Sequence, residues 1–225
     1  MIRFSNVSKN YTRKIQALND VSFHIEKGEF VFLIGPSGAG KTTIMKLLLK
    51  EENVDSGQIF IDGNDVTNLR RRQVSNLRKD IGVVYQDFRL LNSKNVYDNI
   101  SFALDIHGYS KKYKKSKVRS VINQMELRGR EKSLPNELSG GEKQRTSMAR
   151  AIINNPSILI ADEPTGNLDP VTAEEIVNSL LKINESGTTV IMITHSKEIV
   201  DSLGKRVIRL EDGQIISDEE KGSYL

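Results

Sequence analysis

The chain of 225 residues contains no cysteine. That excludes disulfide bridges and thiolate-bound metals, and it fits a reducing compartment. Membrane-length apolar runs are missing too. Stretches such as Ile158–Ala161 and Val190–Ile193 fall far short of the roughly 20 residues a spanning helix needs. The segment Met1–Asn6 lacks the apolar core of a secretory signal. The expectation is a cytosolic chain that reaches a membrane only through a partner. An excess of one charge is also lacking, since 33 basic and 29 acidic side chains leave a net charge of +4. Part of that excess sits in Lys111-Lys112-Tyr113-Lys114-Lys115-Ser116-Lys117, with Arg119 beside it. This cluster reads either as a solvated helix start or as a contact for anionic lipid or nucleic acid. The length suits one large domain or two lobes.

The most informative stretch present is Gly35-Pro36-Ser37-Gly38-Ala39-Gly40-Lys41-Thr42, with Thr43 next. It follows the apolar run Phe30–Ile34 and precedes Ile44–Leu48, whose spacing predicts a helix. Strand, glycine-rich loop and helix in that order form the phosphate-binding P-loop pattern. A triphosphate needs many donors at close range. Glycines let backbone N–H groups converge on it, and the helix start adds unpaired donors and partial positive charge. Lys41 would reach the β- and γ-phosphates of ATP, and Thr42 would hold Mg²⁺.

Other segments fall into place around this loop. Ile2, Phe4 and Val7 predict an edge strand, and Val21–Ile25 a second strand. Val54–Gly63 reads as turn, strand and Asp-Gly turn, and Ile81–Tyr85 as a strand ended by Gln86. From Phe88 to about Asn155 the pattern turns helical, with Val118, Val121, Ile122 and Met125 on one face. The fold class expected is α/β, with an α/β lobe of residues 1–87 and 156–225 and an inserted helical lobe of residues 88–155. Within that lobe Leu138-Ser139-Gly140-Gly141-Glu142 opens a strong helix. It reads either as a second anion cradle or as an ordinary helix cap.

Ser157–Ala161 is apolar on both faces, as in a buried parallel strand, and ends in Asp162 and Glu163. Ligands bind at the carboxyl ends of such strands. Asp162 would hold Mg²⁺, and Glu163 would act as general base toward water. Asp169 before Pro170 is a plausible N-cap for a helix running through Glu185. Val190–Ile193 is another buried strand, ending in Thr194-His195, and Arg206–Leu210 with Gln214–Ser217 forms a closing hairpin. The polar tail Asp218–Lys221 is expected to fray.

Tyr11, the P-loop, Gln86, Leu138–Glu142, Ile158–Glu163, Asn167-Leu168-Asp169 and His195, in this order, resemble the nucleotide-binding subunit of ABC transporters over essentially the whole chain. The resemblance implies a single ATPase domain over residues 1–225, with a RecA-like core, an antiparallel β subdomain and a helical subdomain. It implies that Tyr11 stacks on adenine and that Gln86 senses Mg²⁺ and the γ-phosphate. His195 then holds the γ-phosphate and the water, and Asp169 belongs to the nucleotide site. Two copies would pack head to tail, each ATP lying between one P-loop and the other copy's Ser139, Gly140 and Gly141. The family usually has Gln where this chain has Glu142, a carboxylate that must face away from phosphate, for example toward Lys143 or Arg145.

Val84–Leu91 together with Leu138–Glu142 resembles the cell-division branch of that family. This implies an integral membrane partner docking near Gln86–Leu91, with Phe88, Arg89, Leu90 and Leu91 lining its groove; Leu90 and Leu91 read alternatively as packing inside the helical lobe. It also implies that ATP-driven closure regulates peptidoglycan hydrolysis outside the cell. The alternatives are a lipoprotein-release or macrolide-export ATPase and a nucleotide-dependent scaffold. No nucleic-acid partner is expected, since the chain has neither a long coiled-coil insertion nor zinc cysteines.

Overall fold

The computed structural model of the protein describes residues 1–12, 15–105 and 109–224. A four-stranded antiparallel sheet is built from β1 (Ile2–Thr12), β2 (Ile15–Ile25), β4 (Ser56–Ile61) and β5 (Asn64–Asp65), in the order β2-β1-β4-β5. β1 is therefore interior and not the edge strand expected from its sequence; it pairs with β2 and β4. A strand buried on one face shows the same alternation whether it has one neighbour or two, so the pattern could not tell them apart.

The second sheet has six strands, including β3 (Phe30–Ile34), β6 (Ile81–Val84), β7 (Ile158–Asp162) and β8 (Thr189–Ile193). With β9 (Arg206–Glu211) and β10 (Gln214–Glu219) the order is β10-β9-β3-β8-β7-β6. β9, β3, β8, β7 and β6 run parallel. Their residues alternate between two cores. Val31, Leu33, Ile160, Ile191 and Ile193 face the antiparallel sheet and α1 (Lys41–Leu48). Phe32, Leu159, Ala161, Val190 and Met192 face the helices on the other side. Burial on both faces makes these strands continuously apolar, and their parallel pairing puts all five carboxyl ends along one edge.

The helices of the second core are α3 (Val96–Asp105), α4 (Lys111–Gln124), α5 (Gly140–Ile152) and α6 (Pro170–Glu185). Val96, Ile100 and Leu104 of α3 pack with the expected stripe Val118, Val121, Ile122 and Met125, and with Met148 and Ile152 of α5. The lysine cluster occupies the first turns of α4, capped by Ser110; Lys114 pairs with Asp105 at 2.6 Å.

Some elements went unread in the sequence, α2 (Arg71–Lys79) and α7 (Lys197–Leu203) among them. The helix α2 buries no residue. It is held by Gln73, whose Oε1 accepts from Arg70 N at 2.8 Å, by Leu77 packed against the core, and by Arg78, whose Nε donates to Leu49 O at 2.8 Å. The tail corrects the expected fraying, because β10 runs through Asp218 and Glu219, paired with Ile208 and Val207. Asp218 accepts from Arg206 at 2.7 and 2.8 Å, and Arg206 also reaches Glu29 at 2.9 Å. A long-range ion pair leaves no local hydrophobic signature. The short helix α7 (Lys197–Leu203) completes the fold, and Tyr224 N donates to Asp201 at 2.7 Å.

Candidate functional site

Strand order decides which residues meet. The loop after β3 carries Gly35–Lys41, β8 ends at Ile193 just before His195, β7 ends at Asp162 with Glu163 next, and β6 ends just before Gln86. Since β3, β8, β7 and β6 are consecutive parallel neighbours, these ends lie side by side, about 4.8 Å per strand.

The P-loop owes its shape to crowding at its base. Gly35 has φ +142°, and a Cβ there would sit 2.0 Å from Leu210 O. Only glycine fits. Gly38, at φ +82°, has nothing within 4 Å of where its Cβ would point. It is the open part of the cradle, where an oxyanion could approach bare backbone. Helix α1 begins at Lys41 with no side-chain cap and no acid in its first turn, which leaves its positive end available to an anion. Gly35→Ala should lower the melting temperature by about 10 °C, reflecting overpacking and backbone strain of about 3 kcal/mol. Gly38→Ala, strained by its positive φ but free of any clash, should lose less stability while weakening ATP binding. Calorimetry and nucleotide titration of the pair check this.

Lys41 is buried, and its Nζ donates to Gly35 O at 2.7 Å and Pro36 O at 2.9 Å. Burial pushes its ammonium pKa down, and the nearby Glu163 and Asp162 pull it back up. Thr42 is exposed on the first turn of α1, whereas Thr43 is buried. Burial raises the pKa of Asp162, opposed by Lys41 and Arg89.

Glu163 sits in the left-handed region at φ 48°, a conformation that costs a non-glycine residue about 1 kcal/mol or more. Its N–H donates to Ile193 O at 2.9 Å, which fastens the turn to β8. One carboxylate oxygen accepts from His195 N at 3.3 Å. The other lies 3.2 Å from His195 Nε2, an ion-pair distance without hydrogen-bond alignment, and is otherwise unpartnered. Burial raises the Glu163 pKa, with His195 opposing. A carboxylate shifted upward and holding a spare lone pair is suited to take a proton from water near neutral pH.

Gln86 is exposed beside this turn. Its side-chain amide nitrogen lies against Gly166, 2.9 Å from where a Cβ would be, and its backbone carbonyl accepts from Asn167 Nδ2 at 3.3 Å. Thr42, Gln86 and Asp162 offer hydroxyl, amide and carboxylate oxygens, the hard donors that suit Mg²⁺ arriving with phosphates. No group of three His, Cys, Asp or Glu suited to hold a metal by itself occurs among the described residues.

The remaining residues gather elsewhere. Tyr11 is exposed at the end of β1, its ring 5.6 Å from Lys9 Nζ and 5.7 Å from Lys46 Nζ of α1. Ser139 is the N-cap of α5, and Gly140 and Gly141 lie against Leu168 and Thr172. Asp169 caps α6, accepting from Thr172 N at 3.0 Å and Thr172 Oγ1 at 2.6 Å. Glu142 pairs with neither Lys143 nor Arg145, and its carboxylate folds back onto the entrance of the cradle itself. Its carboxylate accepts from Ser139 N at 2.8 Å and Arg130 Nε at 2.6 Å, the first of these chiefly holding its pKa low. Arg145 pairs with Glu175. The capping box explains the choice, since a glutamate three residues after Ser139 reaches back to the cap's own N–H.

Two further side chains were missed. Arg150 donates to Phe88 O and Arg89 O at 3.0 and 2.7 Å, holding both residues at positive φ. Gln144 is fully buried on α5. Its only sequence signal was a polar residue on the stripe that includes Gly141 and Met148. Among the described residues, cavities that touch the site each hold only part of it. One of about 760 Å³ is lined by Glu163, His195, α6 and α7, and one of about 300 Å³ by Gly35, Pro36 and Tyr224.

Comparison with known proteins agrees with this geometry. The ABC transporter family model matches residues 18–166. The cell division ATP-binding protein FtsE of Bacillus subtilis is 46% identical over 224 residues, covering 100% of this chain and 98% of that protein. FtsE of Mycobacterium tuberculosis is 49% identical over 225 residues, with 100% and 98% covered. The dimeric post-hydrolysis structure of the ATP-binding cassette MJ0796 bound to ADP and Pi superposes with a TM-score of 0.89 at 33% identity, with both chains fully covered. The chain belongs to the ABC transporter family, among its FtsE-type cell division ATP-binding proteins.

Proposed function

We propose that two copies of this chain close head to tail on ATP and Mg²⁺, and that the closure works an FtsX-like integral membrane protein. Residues 1–225 would act as one ATPase domain, with the α/β lobe of residues 1–87 and 156–225 holding the phosphates and the helical lobe of residues 88–155 carrying the movement outward. The observation that carries the reading is the grouping of Lys41, Asp162, Glu163 and His195 on one sheet edge. In this reading Lys41 leaves the carbonyls of Gly35 and Pro36 for the β- and γ-phosphates. Tyr11 stacks on the adenine ring. Thr42, Gln86 and Asp162 would hold Mg²⁺, which neutralises charge on the phosphate oxygens. Glu163 accepts a proton from water as the water oxygen bonds to the γ-phosphorus and the bond to ADP breaks. His195 orients that water. The partly built cavities of the single chain support a site completed by the other copy's Ser139, Gly140 and Gly141, next to which Asp169 lies.

The membrane partner would dock on a groove of about 560 Å³ lined by Phe88, Arg89, Leu90, Leu134, Pro135 and Lys143. Leu91, exposed beside it, widens the apolar surface. Arg89 stacks on Tyr85 at 3.7 Å, so the groove floor connects to Gln86 one residue on. The protein would thus sit on the cytoplasmic face of the membrane and pass force to regulators of peptidoglycan hydrolysis. Co-purification from membranes tests the docking. Leu90→Asp should lose an FtsX-like partner while keeping wild-type ATP affinity, and undiminished co-purification would refute this groove.

A further inference from the structure

Gln144 is fully buried, and its Nε2 donates to Pro164 O at 2.6 Å. This contact joins two parts of the molecule that the proposed chemistry uses separately. Gln144 lies one turn beyond Gly141 on α5, the helix whose N-terminus is Ser139. Pro164 directly follows Glu163. Proline has no N–H, so its carbonyl is the one backbone group by which this residue can be held.

The turn needs holding. Glu163 is in the left-handed region, and such strain persists only when the surroundings over-determine it. On one side the Glu163 N–H is fastened to Ile193 O, and within the turn Gly166 N donates to Glu163 O at 3.2 Å. On the other side stands Gln144. In a buried, low-dielectric position this bond is strong, and its loss leaves a carbonyl unpaired.

We propose that Gln144 is a positioning residue that couples the serine–glycine entrance of α5 to the Glu163 carboxylate of the same chain. The inference rests on the reading of Glu163 as base and of Ser139–Gly141 as a seat for the other copy's ATP. A displacement of α5 along its axis, when Ser139 and Gly141 engage phosphate, moves the Pro164 carbonyl with it. Glu163 then shifts relative to the phosphates bound by its own P-loop. One site's occupancy therefore reaches the other site's proton acceptor through two covalent segments and one hydrogen bond.

The test is steady-state ATP hydrolysis and nucleotide affinity of the full chain. Gln144→Met keeps length and apolar volume but removes the donor. It should lower kcat about tenfold with ATP affinity within about twofold of wild type. Ser147→Ala, which trims a buried hydroxyl elsewhere on α5, reports on helix packing alone and should keep wild-type kcat. The double variant Ser139→Ala/Gln144→Met should be no slower than its slower single variant, because both interrupt one path. Should Gln144→Met fail to fold, Gln144→Asn, a methylene too short to reach Pro164, carries the same expectation. Wild-type kcat in either folded variant, or losses that multiply in the double variant, overturns the proposal. A fully active Glu163→Gln would instead refute the underlying reading of the base.

Discussion

Glu163→Gln should bind ATP with wild-type affinity, accumulate as an ATP-bound dimer, and hydrolyse at least about 100-fold more slowly than wild type. The magnitude is that of losing a positioned general base. Glutamine matches the carboxylate in size and can still accept from His195 N, so the turn survives. What it cannot do is take a proton from water. Phosphate release and size-exclusion chromatography with ATP check both halves, and unchanged turnover would remove Glu163 from its role.

The same substitution has an opposite effect on stability. Burial raises the Glu163 pKa above its ordinary value, so the folded chain holds that proton more tightly than the unfolded chain. Stability from this group is therefore greatest below the ordinary carboxylate range. It declines as pH rises through the elevated value, and above it the ionised group is a standing penalty. Without nucleotide, Glu163→Gln should melt higher than wild type at pH 8, and the difference should shrink toward pH 4. Turnover of wild type should fall on acidification through that elevated value, as the base becomes protonated.

Lys41→Ala is expected to weaken ATP binding by about 100-fold or more, equivalent to about 3 kcal/mol, the scale of charge-assisted hydrogen bonds to phosphate. Lys41 is the cation that Glu163 and Asp162 both face. Without it, the triphosphate would enter beside two carboxylates with one compensating cation fewer. The fold should persist, because Gly35 and the strands around it set the loop's shape. Circular dichroism separates that outcome from unfolding, and titration with a fluorescent ATP analogue reads the affinity. Affinity within threefold of wild type would refute the assignment.

Much of this site was legible in one dimension because its signals are local. A glycine loop between strand and helix, and acids ending an apolar run, are contiguous patterns set by backbone sterics and by burial on both strand faces. The Asp169 cap and the α6 helix were legible for the same reason. Glu142 marks the limit. Its departure from the usual glutamine was visible, and charge predicted that it faces away; its carboxylate instead folds back onto Ser139 N. Its partner Arg130 lies twelve residues away across a turn and was not foreseen.

The chain's own order of residues determined the phosphate loop, the two acids, the continuously apolar strands and the amphipathic stripe of α4, each of which needs only neighbours a few positions away. Only the folded molecule decided that β1 is interior, that α2 exists, that β10 continues to Glu219, and that Gln144 touches Pro164. Those outcomes depend on strand order, ion pairs and buried hydrogen bonds between residues far apart in sequence. Such contacts leave no period in the residues that make them.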